Sequence, residues 1–137
     1  MSRQITLAQA ETNIAACKAE ATAIGQPMNI AVVDDGGNLV AFSSMDGTKL
    51  IGVDISQRKA LTAVYFQTDT RELAALVQPG QPLFGIESTT GGRLVVFGGG
   101  VLLTDDVGAV TGGVGVSAGT VDEDHQVAEA GRKAYTG

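Results

Sequence analysis

Apolar residues near the start of the chain recur every three or four positions. Leu7, Ala10, Ile14, Cys17, Ala21 and Ile24 therefore share one face of a predicted helix. Thr6 and Gln9 form a capping-box pair at its start, and Gly25 and Pro27 stop it. The period then shortens to that of strands. "MNIAVVD" and "LVAFSS" flank "DGGN", whose glycines permit the positive φ of a tight turn, so a β-hairpin is expected. Asp34 and Asp35 at its tip read as turn formers rather than as a catalytic carboxylate pair.

After "MDGT" the helical spacing returns from about Ile51 to Gln67, with Ile55, Lys59, Thr62 and Phe66 on one stripe. Asp69 or Thr70 caps a short helix through Val77, which "QPG" ends. The next stretch holds ten of the chain's 19 glycines, between Gly91 and Gly119, interleaved with "LVVF", "VLLT" and "VGAVTGGVGVS". Glycine at that density opposes helix and suits strands whose backbones approach closely, so two or three antiparallel strands are expected, joined by "GGG" and "TDDVG". Thr120 and Glu123 form a second capping box. It opens a helix to about Tyr135 that turns Asp124, Val127, Ala128, Gly131 and Ala134 coreward. The order α-β-β-α-α-β-β-β-α has no regular β-α alternation and predicts an α+β fold on an antiparallel sheet.

At 137 residues, one domain over 1–137 is expected. The single Cys17 lies on an apolar stripe and reads as a core residue. One histidine and one cysteine do not assemble a zinc site within one chain, so no metal is expected. Fifteen acids against 9 bases give a net charge of −6 without a basic cluster, which argues against nucleic acid as a partner. The longest apolar and glycine run, Leu94 to Leu103, is far shorter than the roughly 18 residues of a membrane span. "MSRQITLAQAE" lacks an apolar run behind its basic residue, so a soluble cytoplasmic protein is expected. Apolar residues make up 44% of the chain but aromatics only 4%. A core of small and β-branched side chains supplies few walls for a deep pocket, so a ligand site is expected to borrow walls from a neighbouring subunit.

Lys59 rides on a mostly apolar stripe, where either its stem covers the core edge while the ammonium reaches water or the ammonium serves a site. "GVGVSA" satisfies G-x-G-x-x-A between a strand and a helix. The ribose-binding acid of a dinucleotide site belongs about 20 residues later, and the sequence reaches Gly137 first. Asp122 and Glu123 suit the positive end of the helix dipole without further function, whereas Asp124 shares the inward face. His125 falls on a mixed face with Ala128, Glu129 and Arg132. "SMDGT" places Met45 and Asp46 at the sheet edge near the Lys59 helix.

The combination "VVDDGGNLVAFSSMDGT", "SQRKALTAVYFQTDT" and "GGVGVSAGTVDEDHQVAEAG" resembles the GlcG/HbpS-like family over nearly the whole chain. That family includes haem-binding proteins, glycolate-operon accessory proteins and PduO C-terminal domains. The resemblance implies a profilin-like α+β domain, a five-stranded antiparallel sheet flanked by helices, assembling as dimers and as hexamers or octamers. Matching positions include Met45, Asp46, Gly47, Lys59, Ala60, Thr62, Phe66, Gly115, Ser117, Asp124 and Gly131, while Ser44 stands where the family often has arginine.

The leading expectation is a homo-oligomeric small-ligand-binding protein, accessory to a catabolic pathway, for which the resemblance suggests haem or another tetrapyrrole. Lys59 would donate to a ligand oxygen, with Met45 and Phe66 as apolar contacts and Asp46 and Thr62 beside them. Backbone groups of Gly115, Val116 and Ser117 would cap a carbonyl or carboxylate. Axial ligation of haem would fall to His125, Met45, Tyr65 or another group. A second expectation is a cofactor-free isomerase, lyase or ring-opening hydrolase, with Lys59 as acid or electrophile and Asp124 or His125 as base. A third is a structural oligomeric accessory protein without a ligand.

Overall fold

A computed structural model of the chain describes residues 4–135. Helix α1 (Leu7–Ala23) is followed by strands β1 (Asn29–Asp34) and β2 (Leu39–Ser44), and then by helix α2 (Ile51–Phe66). Two 3₁₀ segments, Thr70–Val77 and Ile86–Thr90, lead to β3 (Gly100–Thr104), β4 (Val110–Ser117) and helix α3 (Val121–Lys133). Both capping boxes form: Thr6 and Gln9 exchange side-chain and backbone hydrogen bonds at the start of α1, as do Thr120 and Glu123 at α3. In the first hairpin Asp34 Oδ1 accepts the N–H groups of Gly36 and Asn38, which accounts for that acid as a turn former.

The sheet is antiparallel in the order β2-β1-β4-β3, and helices cover both faces. The side-chain alternation of β4 explains the layering, because successive residues of a strand point to opposite faces. Val114 and Val116 face α1 and α3, joining Ile30, Val32, Val101 and Leu103 in the main core with Ala10, Ile14, Cys17, Val127 and Ala128. Gly113 and Gly115 face α2. A Cβ on Gly115 would strike the Ser56 carbonyl and come 2.6 Å from Ala60 N, so the helix backbone lies directly on the strand. Removing each core valine from water is worth roughly 1.5–3 kcal/mol, and the glycine face allows α2 to close without voids.

That approach changes the expected face of α2. Its buried residues are Gly52, Ser56, Lys59, Ala60, Thr62, Ala63 and Val64. Ile55 and Phe66 are only half-buried, because the contact line follows the smallest side chains rather than the largest. In α1 the buried stripe begins at Ala10, and Leu7 is exposed.

The sheet has four strands, not the five implied by the family resemblance. "LVVF" forms no ladder: the Val95 N–H donates to Thr62 Oγ1, and Leu94 and Val96 pack with Leu73 in a satellite cluster. The outer edge of β3 is covered by side chains instead of a strand, with Thr70 Oγ1 accepting the Gly100 N–H and Asp69 Oδ1 accepting that of Leu102. No helix among the described residues is long and apolar enough to cross a membrane.

Candidate functional site

Lys59 and Asp124 meet. Lys59 Nζ donates to Asp124 Oδ2 and to the Val116 carbonyl, each at 2.8 Å, with side-chain exposures of 0% for the lysine and 3% for the aspartate. Asp124 Oδ1 accepts the Gly119 N–H at 2.7 Å, so one ion pair ties α2, the end of β4 and the start of α3 together. The Phe97 ring closes another side of the ammonium, 5.1 Å from its centroid. Gly99, at φ 124°, brings bare backbone against Nζ where a Cβ would collide. Burial pulls the Lys59 ammonium below its ordinary pKa and pushes the Asp124 carboxyl above its own, and the attraction between the two opposes both shifts.

The other sequence candidates distribute around this pair without forming one pocket. Val116 contributes its carbonyl, and Gly115 is consumed by the α2 contact. Ser117 pairs with Asn29 in the sheet. Of the backbone groups expected to receive a ligand, the Val116 N–H already donates to the Gly99 carbonyl; just beyond Ser117, the N–H of Gly119 is taken by Asp124 and that of Thr120 by Glu123. Thr62 is buried and bridges the Arg58 carbonyl to the Val95 N–H. Phe66 packs against the Leu73, Leu94 and Val96 cluster, and Phe97 rather than Phe66 supplies the aromatic contact to Lys59. Met45 packs on the main core and its sulfur accepts the Met28 N–H at 3.4 Å, while Asp46 is exposed in the turn before α2.

His125 lies apart from Lys59, because adjacent residues of a helix point about 100° away from each other. It lines a hollow of about 540 Å³ with Glu20, Arg71, Glu129 and Lys133. Its Nε2 is 3.8 Å from Glu129 Oε2, and its Nδ1 is buried without a partner. Burial, with the charges of Arg71 and Arg132, holds the imidazole below its ordinary value against the pull of Asp69 and Glu129. Donor atoms of Asp69, His125 and Glu129 lie within 4.8 Å of one another, a spacing a cation could bridge. Arg132 already occupies both carboxylates: its Nη1 and Nη2 reach Asp69 at 2.7 and 2.9 Å, and it also pairs with Glu129. Burial alone would raise the Asp69 carboxyl, but Arg132 and the Leu102 N–H hold it below the usual carboxylate range. The clamp fastens α3 to the segment beside β3.

An apolar ledge borders the hollow. Val121, one turn before His125 on α3, is 44% exposed, and Phe97 is 40% exposed. A Cβ on Gly98 would lie 2.9 Å from Val121 Cγ1 and 3.3 Å from Arg71 Cβ, so Val121 and Arg71, which lines the hollow, flank the same glycine. Nothing in the periodicity pointed to Phe97 or Arg71, since both lie in segments whose positions are fixed by long-range contacts.

The side chains weighed as donors to haem iron are differently placed. Cys17 is buried, with its thiol pushed up to about 12 by desolvation, Met45 is engaged by Met28, and Tyr65 accepts a hydrogen bond from Arg93. His125 borders the hollow, and since its Nδ1 is buried, Nε2 is the ring nitrogen whose chemistry suits an axial ligand there.

The family described as "Haem degrading protein HbpS-like" matches residues 5–133. A 15.0 kDa protein of Citrobacter freundii, from the dhaT-dhaS intergenic region, is 42% identical over 125 residues, covering 91% of this chain and 87% of that one. The crystal structure of Klebsiella pneumoniae protein ORFY superposes with a TM-score of 0.92 at 38% identity, covering 95% of this chain and 89% of that one. A crystal structure of a PduOC:haem complex also gives 0.92, at 33% identity, covering 96% and 94%.

Proposed function

The chain belongs to the HbpS-like family, and from that premise we propose that it is a haem-binding protein whose own axial ligand is His125. The observation that carries this reading is the placement of the chain's one imidazole in an open hollow beside the Val121 and Phe97 ledge. It is supported by the likeness to a haem complex over 96% of the chain. Bound haem would supply an iron centre whose electron-transfer and oxygen chemistry is the cofactor's own.

The chain's part is to bind and orient. Val121 and Phe97 offer apolar surface to the macrocycle. Arg71 and Lys133 on the rim offer cations to propionates, and among the described residues Arg71 is held by a 3.5 Å contact to Glu72. Nε2 would face the iron, with Glu129 Oε2 3.8 Å away and itself held by Arg132. Self-association and service to a catabolic pathway belong to the same reading, and Leu50 and Ile51, 86% and 63% exposed, offer apolar surface to a second copy.

A proton-transfer enzyme built on Lys59 and Asp124 has less support. Both groups are sealed from solvent, and their hydrogen bonds point at each other and at backbone.

Haemin titration tests the proposal. The Soret band is expected to shift saturably with the native protein, and His125→Ala should weaken binding by about tenfold or more, the equivalent of 1.4 kcal/mol, with an unchanged far-UV spectrum. Equal titrations of the two proteins would remove His125 from the site. The pH dependence follows in sign: since burial keeps the ring below its ordinary 6.5, the neutral ligating form prevails at pH 7. Affinity should be flat above pH 6.5 and fall at lower pH as protons compete for the imidazole.

A further inference from the structure

The face of α2 turned away from the Lys59 pair carries a second concave site. Between α2 and the tip of the β1–β2 hairpin lies an open groove of about 430 Å³, floored by Val33, Leu39 and Leu61. Leu39 is 51% exposed, which leaves apolar surface uncovered on that floor. A Cβ on Gly37 would sit 2.5 Å from Leu61 Cδ1, so the hairpin tip closes directly on the helix at the groove's end.

Two guanidinium groups from distant parts of the sequence stand on the rim. Arg58, in α2, donates from Nη1 to the Gly92 carbonyl at 3.0 Å and from Nε to Asp54 at 2.9 Å. Arg93 follows Gly92 in the loop after the second 3₁₀ segment. Its Nη2 donates to the Tyr65 hydroxyl at 3.0 Å, and its guanidinium lies 5.5 Å from the Tyr65 ring centroid. Both forks are thus held at one end by the protein, which lowers the cost of fixing them on a ligand. Asp54 neutralises Arg58, so among the groove's lining residues one cation, Arg93, stands in excess on a chain whose net charge is −6. A phosphate-sized anion would use the charges and leave the apolar floor wet, whereas a purely apolar molecule would leave the Arg93 charge unanswered by the groove.

We propose that this groove binds a small organic monocarboxylate with an apolar body, its carboxylate on Arg93 and Arg58 and its body on Leu39 and Leu61. The volume lies within the range of small-molecule sites, and paired arginines suit a planar carboxylate. This site is separate from the His125 hollow, and neither depends on the other.

The test is an amide NMR titration of the full chain with benzoate, with benzamide as the neutral isostere. Benzoate is expected to give saturable shifts at Gly92, Arg93 and Gly37. Arg93→Gln should weaken its binding at least about tenfold while leaving amides remote from the groove unshifted, and Arg58→Gln should act in the same direction. Benzamide should give no saturable shifts. Equal responses to the two probes, unaltered benzoate binding by Arg93→Gln, or absence of saturation would overturn the proposal. So would groove resonances that broaden with protein concentration before any probe is added, which would make a second copy of the chain the occupant.

Discussion

Replacing Lys59 with alanine is expected to destabilise the protein by about 3–5 kcal/mol, a large part of the roughly 5–15 kcal/mol that holds an ordinary domain together. The loss does not come from the pair's attraction alone. Removing the ammonium leaves Asp124 Oδ2 and the Val116 carbonyl buried without their donor, at the point where α2, β4 and α3 meet. Thermal unfolding should register it as a fall of about 10–20 °C in Tm.

A pH series identifies the cause. In the native protein Lys59 opposes the upward push of burial on the Asp124 carboxyl, and without Lys59 that carboxyl rises further. A carboxyl raised in the folded state contributes stability at low pH that is lost as pH rises through its folded value. The deficit of Lys59→Ala should therefore shrink as pH falls toward the ordinary carboxylate range. The double variant Lys59→Met with Asp124→Leu, which removes both charges, should recover much of the loss, as buried pairs replaced by apolar side chains often do. A single variant no less stable than the native protein would show that the pair is not a structural tie.

The second large effect is expected at Gly115. An added methyl there meets the Ser56 carbonyl and the Ala60 N, which are helix backbone and cannot turn aside as a side chain tip would. Gly115→Ala should cost about 3 kcal/mol, the upper part of the usual range for overpacking, because α2 must lift from β4. Gly115→Val should prevent folding. Denaturant melts read both, and a Gly115→Ala midpoint equal to the native one would mean that α2 does not rest on that strand.

Much of this architecture was legible locally. Capping boxes depend on residues three apart, and both formed where Thr6 and Thr120 placed them. The inward face of α3, with Asp124, Val127, Ala128 and Gly131, followed from its own periodicity. Lys59 stood out as a charge on a buried stripe, and its partner was among the residues singled out.

The failures share a different origin. The contact line of α2 is set by the glycine face of β4, which lies more than forty residues away in sequence. "LVVF" has strand composition, but Thr62 takes its Val95 N–H, and Thr70 and Asp69 cap the β3 edge it would have joined. Phe97 beside Lys59 escaped notice for the same reason: the "GGG" bend, rather than helical spacing, carries the ring to the ammonium. The clamp of Arg132 on Asp69 and the joint placement of Arg58 and Arg93 are likewise products of the folded topology.

His125 as the haem ligand is tested most directly by a crystal structure of the protein saturated with haemin. Iron bonded to His125, with the macrocycle against Val121 and Phe97, is the expected result. Iron ligated by another residue of the chain, or no tetrapyrrole in the His125 hollow at saturating haemin, would contradict it.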